Sequence, residues 1–287
     1  MGSSWQSVAT WQRDEGLGEG QNQVLHAAAI AGYDICRGVR AWRIWVTLGR
    51  SDVMSRYRRT RLGQFWITAT LGLLLVGIGI VYSSLFKQPL ATFLPYIAIN
   101  FVFWNLMVSL VNEGCQSFIE AERYMKQIDV PYSAYVVRVI FRNGFVFAHN
   151  LVILPIVFII YSVPISPLAP LSILGLVLLA LNGLWVGLLL GTLAARFRDL
   201  PQLIQNLMQI GFFVTPIMFR PENLDEQVRE VLRWNPLASI LAVVRDPLLD
   251  KLPTFHDYAL VVGISILGFA IALPFYGHFR RRIVYWI

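Results

Sequence analysis

The sequence predicts an all-α polytopic membrane protein: six transmembrane helices, an amphipathic interface helix ahead of them, a re-entrant outer segment between spans five and six, and both termini in the cytoplasm. Three observations carry this expectation. Of 287 residues, 56% are hydrophobic and 14% charged, with a mean hydropathy of +0.57, too apolar for an ordinary soluble domain. Six runs approach the roughly 20 apolar residues that a helical span needs: Leu62–Phe86, Phe93–Asn112, Asn143–Val163, Leu168–Ala194, Leu203–Phe219 and Tyr258–Phe279. Finally, the basic clusters all fall on one side when those six runs alternate across a bilayer.

The third observation rests on position rather than on the net charge of +7. Arg37 to Arg61 holds eight arginines; Arg123, Lys126, Arg138 and Arg142 follow, then Arg196 and Arg198, and Arg280, Arg281 and Arg282 close the chain. The opposite side carries Lys87, an uncharged loop at Ser162–Pro167, and a third loop in which seven acids outnumber five bases. By the positive-inside rule both termini are cytoplasmic. No basic stripe with interleaved aromatics lies outside the membrane flanks, which argues against a nucleic-acid partner.

Residues 1–36 read as a polar cytoplasmic lead-in, with GLGEGQNQ at their centre. They lack the basic stretch followed by an apolar core of a signal peptide, so the first span is expected to insert itself. Residues 37–61 space Val39, Trp42, Val46 and Val53 along one arc with arginines beside it, the pattern of a helix lying in the headgroup layer or packing on a protein partner. Residues 62–287 hold the six spans. After the second, the region of about 113–142 is charged and helical, broken by Pro131; Asn105, Ser109, Asn112, Glu113 and Gln116 form a polar stripe into it. Glu113, the acid nearest membrane depth, is either a functional group or a solvated carboxylate.

The fourth run places Gly183, Gly187, Gly191 and Ala195 at intervals of four, a small-residue face for close helix packing. The fifth, ARFRDLPQLIQNLMQIGFFVTPIMF, carries Gln202, Gln205, Asn206 and Gln209 at i, i+3, i+4 and i+7. One helical face therefore holds four amides, which either line a polar path or hydrogen-bond between helices. The outer region of about 222–257 is too long for a plain connector. Its apolar run Pro236–Leu249 is too short to cross and is expected to dip into the membrane and return.

Enzyme chemistry is hard to place. No G-x-x-x-x-G-K-[ST] loop, G-x-S-x-G or H-E-x-x-H motif occurs, so no catalytic residue, metal or cofactor is expected in this chain. His26, His149, His256 and His278 are scattered, and His149 is expected to be a satisfied hydrogen-bonding residue. Cys36 and Cys115 are expected on the cytoplasmic side, unpaired. Ionisable residues are nearly absent from the spans, which disfavours a secondary transporter. A membrane-embedded enzyme on lipid-linked sugars would need a carboxylate pair, and Glu120 with Glu122 sit two apart on different sides of a helix.

Four stretches in order, SRYRRTRLGQFW, RYMKQIDVPYSAYVVRV, ARFRDLPQLIQNLMQIGFFVTPIMF and WNPLASILAVVRDPLL, resemble the membrane subunits of type 2 ABC exporters of lipid-linked polysaccharide, the family exporting O-antigen, capsule and wall teichoic acid. The likeness covers about residues 38–287. It implies a homodimer in the bacterial inner membrane, two copies of a separate P-loop ATPase carrying the ATP and Mg, and a polyprenyl-diphosphate-linked glycan, O-antigen by preference. It further implies a coupling helix at about 119–128 whose Glu120, Arg123, Tyr124 and Lys126 meet the ATPase, two re-entrant helices at the outer mouth, and a channel lined by the first and fifth spans. On that reading Gln202, Gln205, Asn206 and Gln209, with Phe212, Phe213, Tyr82 and Phe86, contact the polymer. Arg56, Arg58, Arg59, Arg196 and Arg198 either attract the diphosphate at the cytoplasmic entrance or serve only as topology determinants.

Overall fold

The computed structural model describes residues 19–57 and 65–287, all helix and connecting turns with no strand among the described residues. Two helices lead in: α1 (Glu19–Arg40) and, after a break at Ala41, α2 (Trp42–Tyr57). The polar lead-in is thus helical from Glu19, and α1 packs along the last long helix rather than trailing free. The expected interface helix over 37–61 is divided between the two, and residues 58–61 lie outside the described residues.

Next come α3 (Phe65–Leu85) and α4 (Leu90–Cys115), then two single turns, α5 (Ser117–Glu120) and α6 (Glu122–Met125). The third run is α7 (Ser133–Leu151) continued by α8 (Ile153–Ile160), followed by α9 (Leu171–Arg196) and α10 (Leu200–Val214). The far end is built by α11 (Glu226–Arg233) and α12 (Pro236–Arg245); α13 (Phe255–Phe279) and the short α14 (Ile283–Trp286) close the chain.

Five of these units are long and apolar enough to cross a membrane: α3, α4, α7 with α8, α9, and α13 with its continuation, at 21, 26, 28, 26 and 32 residues. The fifth expected span is different. At 15 residues α10 is about 22 Å long at ~1.5 Å per residue, short of the roughly 30 Å hydrocarbon layer. Pro216 causes the stop, because it has no N–H to donate and forces the residue before it out of the helical region. Thr215 is accordingly extended, with ψ 139°. Residues 215–219 continue as buried or half-buried bends, so the fifth apolar run is a short helix plus an irregular stretch.

The helix α4 is the centre of the molecule, flanked by α3, α7, α9, α10 and α12. Around it lies one apolar core that includes Leu75, Phe93, Ile97, Phe103, Met107, Leu179, Leu241 and Val244. A second core, of Ala31, Phe118, Met125, Tyr135, Leu188, Ala195, Tyr276 and Ile283, joins the basic ends of the helices to α1 and the α5–α6 turns. The glycine stripe of α9 is the seam between α9 and its neighbours. A Cβ on Gly187 would lie 2.6 Å from Val136 Cγ1, and one on Gly191 2.7 Å from Ser117 Oγ and 3.1 Å from the Gly114 carbonyl. Small residues at these positions let the backbones approach.

At the far end, all of α12 from Ala238 to Arg245 is buried, wedged between α4, α9 and α13. Asn235 caps it, its side-chain oxygen accepting from Leu237 N at 3.0 Å. The helix α11 is amphipathic and mostly exposed, with ion pairs Arg229–Glu226 and Arg233–Glu230 along it.

Candidate transport surface and coupling site

The helix α10 presents three faces set by the helical repeat. Inward, Met208 is buried and Phe212 meets Phe101 and Trp104 of α4 with ring centroids 5.7 and 5.9 Å apart. A second face exposes Leu203, Leu207, Ile210 and Val214. The third carries Gln202, Gln205, Asn206 and Gln209, all exposed, with Phe213 beside them at 72% exposure. Among the described residues these amides make one hydrogen bond, and it runs along the helix, from Gln202 Nε2 to Asn206 Oδ1 at 3.2 Å. Among the described residues, then, the amides do not bond to another helix of the same chain.

Tyr82 and Phe86 lie elsewhere. Their rings stand 5.8 Å apart, and Phe86 meets Phe93 at 6.0 Å, an aromatic run where α3 turns into α4. No hydrogen bond or ring contact among the described residues joins them to α10.

The broken C-terminal end of α10 is held by residues that the sequence did not single out. Arg245, buried at the end of α12, donates to the Pro216 carbonyl at 3.3 Å and to Asn100 Oδ1 at 3.4 Å, and pairs with Asp246 at 2.7 Å. Tyr96 OH reaches the Phe219 carbonyl at 2.9 Å, and Asn235 Nδ2 donates to the Val214 carbonyl at 3.2 Å. The Val214, Pro216 and Phe219 carbonyls, at and beyond the end of the helix, therefore find partners, as buried backbone must. The available signal was Pro216 itself, because a helix that stops inside an apolar run leaves carbonyls that require donors nearby.

At the other end, where the basic clusters gather, a charge network ties the α5–α6 turns to the long helices. Arg142 of α7, with a side chain 5% exposed, donates to Glu113 Oε2 at 2.9 Å, Glu120 Oε2 at 3.0 Å and Asp52 Oδ2 at 3.3 Å. Arg138, one turn earlier, holds both Asp52 oxygens at 2.6 Å, a fork-on-fork pair, and lies 5.0 Å from the Tyr124 ring centre. Asn143 Nδ2 adds a bond to Glu113 at 2.7 Å. Glu113 is therefore an anchored partner of α7 rather than a solvated carboxylate.

The coupling helix expected at about 119–128 is instead two single turns divided at Ala121, ending before Pro131. Its four expected contact residues separate. Glu120 and Tyr124 belong to the network just described, whereas Arg123 and Lys126 are exposed. Lys126 pairs with Glu122 at 2.7 Å, and its hydrogen bond holds the Glu122 carboxyl below the usual carboxylate range. Arg196 and Arg198 are exposed at the same end: Arg196 lies 5.4 Å from the Trp286 ring centre, and Arg198 donates to the Trp286 carbonyl at 3.4 Å. Arg56 lies on the backbone of α2, while Arg58 and Arg59 fall outside the described residues.

His149 Nδ1 lies 2.9 Å from the Phe145 carbonyl of its own helix, an ordinary local hydrogen bond. Cys36 is exposed and Cys115 buried, and both are free thiols.

Comparison with known proteins places this architecture. Three relatives named O-antigen export system permease protein RfbA align over most of their length. One from Klebsiella pneumoniae is 20% identical over 241 residues, covering 83% of this chain and 92% of that protein. A second from Klebsiella pneumoniae is 19% identical over 232 residues, covering 79% and 87%. One from Myxococcus xanthus is 21% identical over 225 residues, covering 77% and 86%. The family model described as ABC-2 type transporter matches residues 44–249, from the interface helix through the turn after α12 and well over half of the chain. This chain is a membrane protein of the ABC-2 type transporter family.

Proposed function

We propose that this chain is the transmembrane subunit of an ATP-driven exporter that moves a polyprenyl-diphosphate-linked polysaccharide, O-antigen in kind, from the cytoplasm across the bacterial inner membrane through a homodimeric channel. One observation carries the reading: α10 exposes a face of four amides beside a separate apolar face. An amide left unpaired in hydrocarbon costs several kcal/mol, so the amide face requires water or a hydroxylated solute. The apolar face suits lipid or a second copy. Two α10 helices facing each other across a dimer axis satisfy both demands, and the names of the relatives support the substrate class.

In this arrangement α10 counts as the fifth of six spans, α12 re-enters from the outside, and the basic end faces the cytoplasm. A long glycan passes only if its contacts are weak and replaceable. Gln202, Gln205, Asn206 and Gln209 exchange hydrogen bonds with sugar hydroxyls, since amides both donate and accept. Phe213 offers a ring face, with Phe212 behind it, and Tyr82 and Phe86 extend the apolar wall at the outer mouth. Arg196 and Arg198, with Arg56, Arg58 and Arg59, attract the diphosphate at the entrance. ATP and Mg are bound by the partner ATPase, two copies per dimer, which presses on the exposed side of α5–α6 at Arg123 and Lys126. Glu120 and Tyr124 pass the displacement to Arg142 and Arg138.

The test is the double variant Gln205→Leu with Gln209→Leu. Export should fall at least about tenfold, the effect of losing roughly 1.4 kcal/mol of favourable contact, while the dimer remains intact on size-exclusion chromatography. A dimer that falls apart makes the amides packing residues and defeats the channel assignment.

A further inference from the structure

The helix α1 lies ahead of the matched family region and has no part in the reading above, yet it supplies one of the most deeply buried charges in the molecule. Asp34 is 1% exposed. Its Oδ2 accepts from Ser133 N at 3.0 Å and from Tyr276 OH at 2.6 Å, and its Oδ1 pairs with Arg280 Nη2 at 2.6 Å. Its backbone carbonyl accepts from Ser133 Oγ at 2.9 Å. A buried carboxylate holds its charge only when paired and hydrogen-bonded in this way.

The partners come from two places that also touch directly, Tyr276 stacking on Phe118 of α5 with centroids 6.1 Å apart and Arg280 lying 5.4 Å from the Tyr132 ring centre. Ser133 is the first residue of α7, where the chain leaves the α5–α6 turns; Asp34 satisfies one of the unpaired N–H groups at that helix start and complements its dipole. Tyr276 and Arg280 are the basic end of α13. The approach is close on both sides: a Cβ on Gly38 would collide with Ser133 Oγ, and one on Gly277 with the Ala27 carbonyl.

The far end of α13 is pinned as well. Asp257, in its first turn, accepts from Ser239 Oγ of α12 at 2.9 Å, and α12 ends in Arg245, which holds the Pro216 carbonyl at the broken end of α10. A single helix, with Pro274 inside it near the clasped end, thus has one end clasped to the exit of the coupling turns and the other bonded to the helix that closes the amide-bearing α10.

We infer that Asp34 is a positioning residue, and α1 a clasp, through which displacement of the α5–α6 turns is transmitted along α13 to the outer end of α10. This rests on the exporter reading. Transmission by this route requires the bonds from Asp34 to Ser133 and to Tyr276 and Arg280 to hold together or part together.

The experiment uses the full complex with its ATPase in proteoliposomes, measuring ATP hydrolysis and polymer translocated per ATP. The variants are Asp34→Asn, which removes the charge, and Tyr276→Phe, which removes one hydroxyl and keeps the packing. Polymer per ATP is expected to fall about tenfold for Asp34→Asn and about threefold for Tyr276→Phe, within the range of broken couplings, with hydrolysis and assembly retained. A purely structural role would lower assembled complex and leave the ratio unchanged. If Asp34→Asn does not assemble, Tyr276→Phe decides. An unchanged ratio in Tyr276→Phe overturns the inference. A wild-type chain that neither binds an ATPase nor exports glycan defeats the exporter reading instead, and does so before any variant is compared.

Discussion

Arg142 shows at the scale of one residue how the basic end is organised. It is the cation shared by Glu113, Glu120 and Asp52, which come from three different elements. Removing one partner of a buried ion network leaves the others uncompensated, at about 3–5 kcal/mol. Arg142→Met should therefore lower the unfolding midpoint of the purified protein sharply. Lys126→Ala, which deletes an exposed pair with Glu122, should change stability by less than about 1 kcal/mol. The types of these residues were visible in the sequence, and their partnerships were not. Glu113 and Arg142 are 29 positions apart, Asp34 and Tyr276 are 242, and no local pattern announces such a pair.

At the scale of elements, legibility follows periodicity. The glycine stripe of α9 repeats every four residues and was readable as a packing face, which the Val136, Ser117 and Gly114 contacts bear out. The amide face of α10 was readable for the same reason. The end of α10 was misjudged because the apolar run continues through Thr215 to Phe219, and hydropathy does not register a missing N–H. The single coupling helix became two turns, and the lead-in became a packed helix, because tertiary contacts at Phe118, Ala121 and Ala31 decided those segments. A contrast of glycines checks the seam. Gly191→Val overpacks α9 against Ser117 and Gly114 and should destabilise by about 1–3 kcal/mol. Gly77→Ala on α3 meets nothing within 4 Å and should be neutral or stabilising by up to about 1 kcal/mol, both read as shifts in thermal midpoint.

For the molecule as a whole, the distribution of burial is uneven in an informative way. Within its 18-residue apolar window α4 is 72% buried, whereas α3 is 17% buried and α10 buries only Met208. The second span, α4, is a finished core element, whereas α3 and α13, 17% and 22% buried, and α10 leave most of their apolar surface exposed; on the proposed reading α3 and α10 meet the second copy and the rest meets lipid. That asymmetry fits a subunit whose channel forms only when two copies meet. The central claim, that the amide face of α10 lines a watery path, is tested most directly by thiol accessibility. In a chain with Cys36 and Cys115 replaced by serine, single cysteines are placed at 205, 209, 203 and 210 and exposed to a membrane-impermeant thiol reagent in the assembled complex. The account predicts that Gln205→Cys and Gln209→Cys react and are shielded when polymer is engaged, while Leu203→Cys and Ile210→Cys stay unreactive. Labelling confined to 203 and 210, or labelling at 205 and 209 that engaged polymer leaves unchanged, would contradict it.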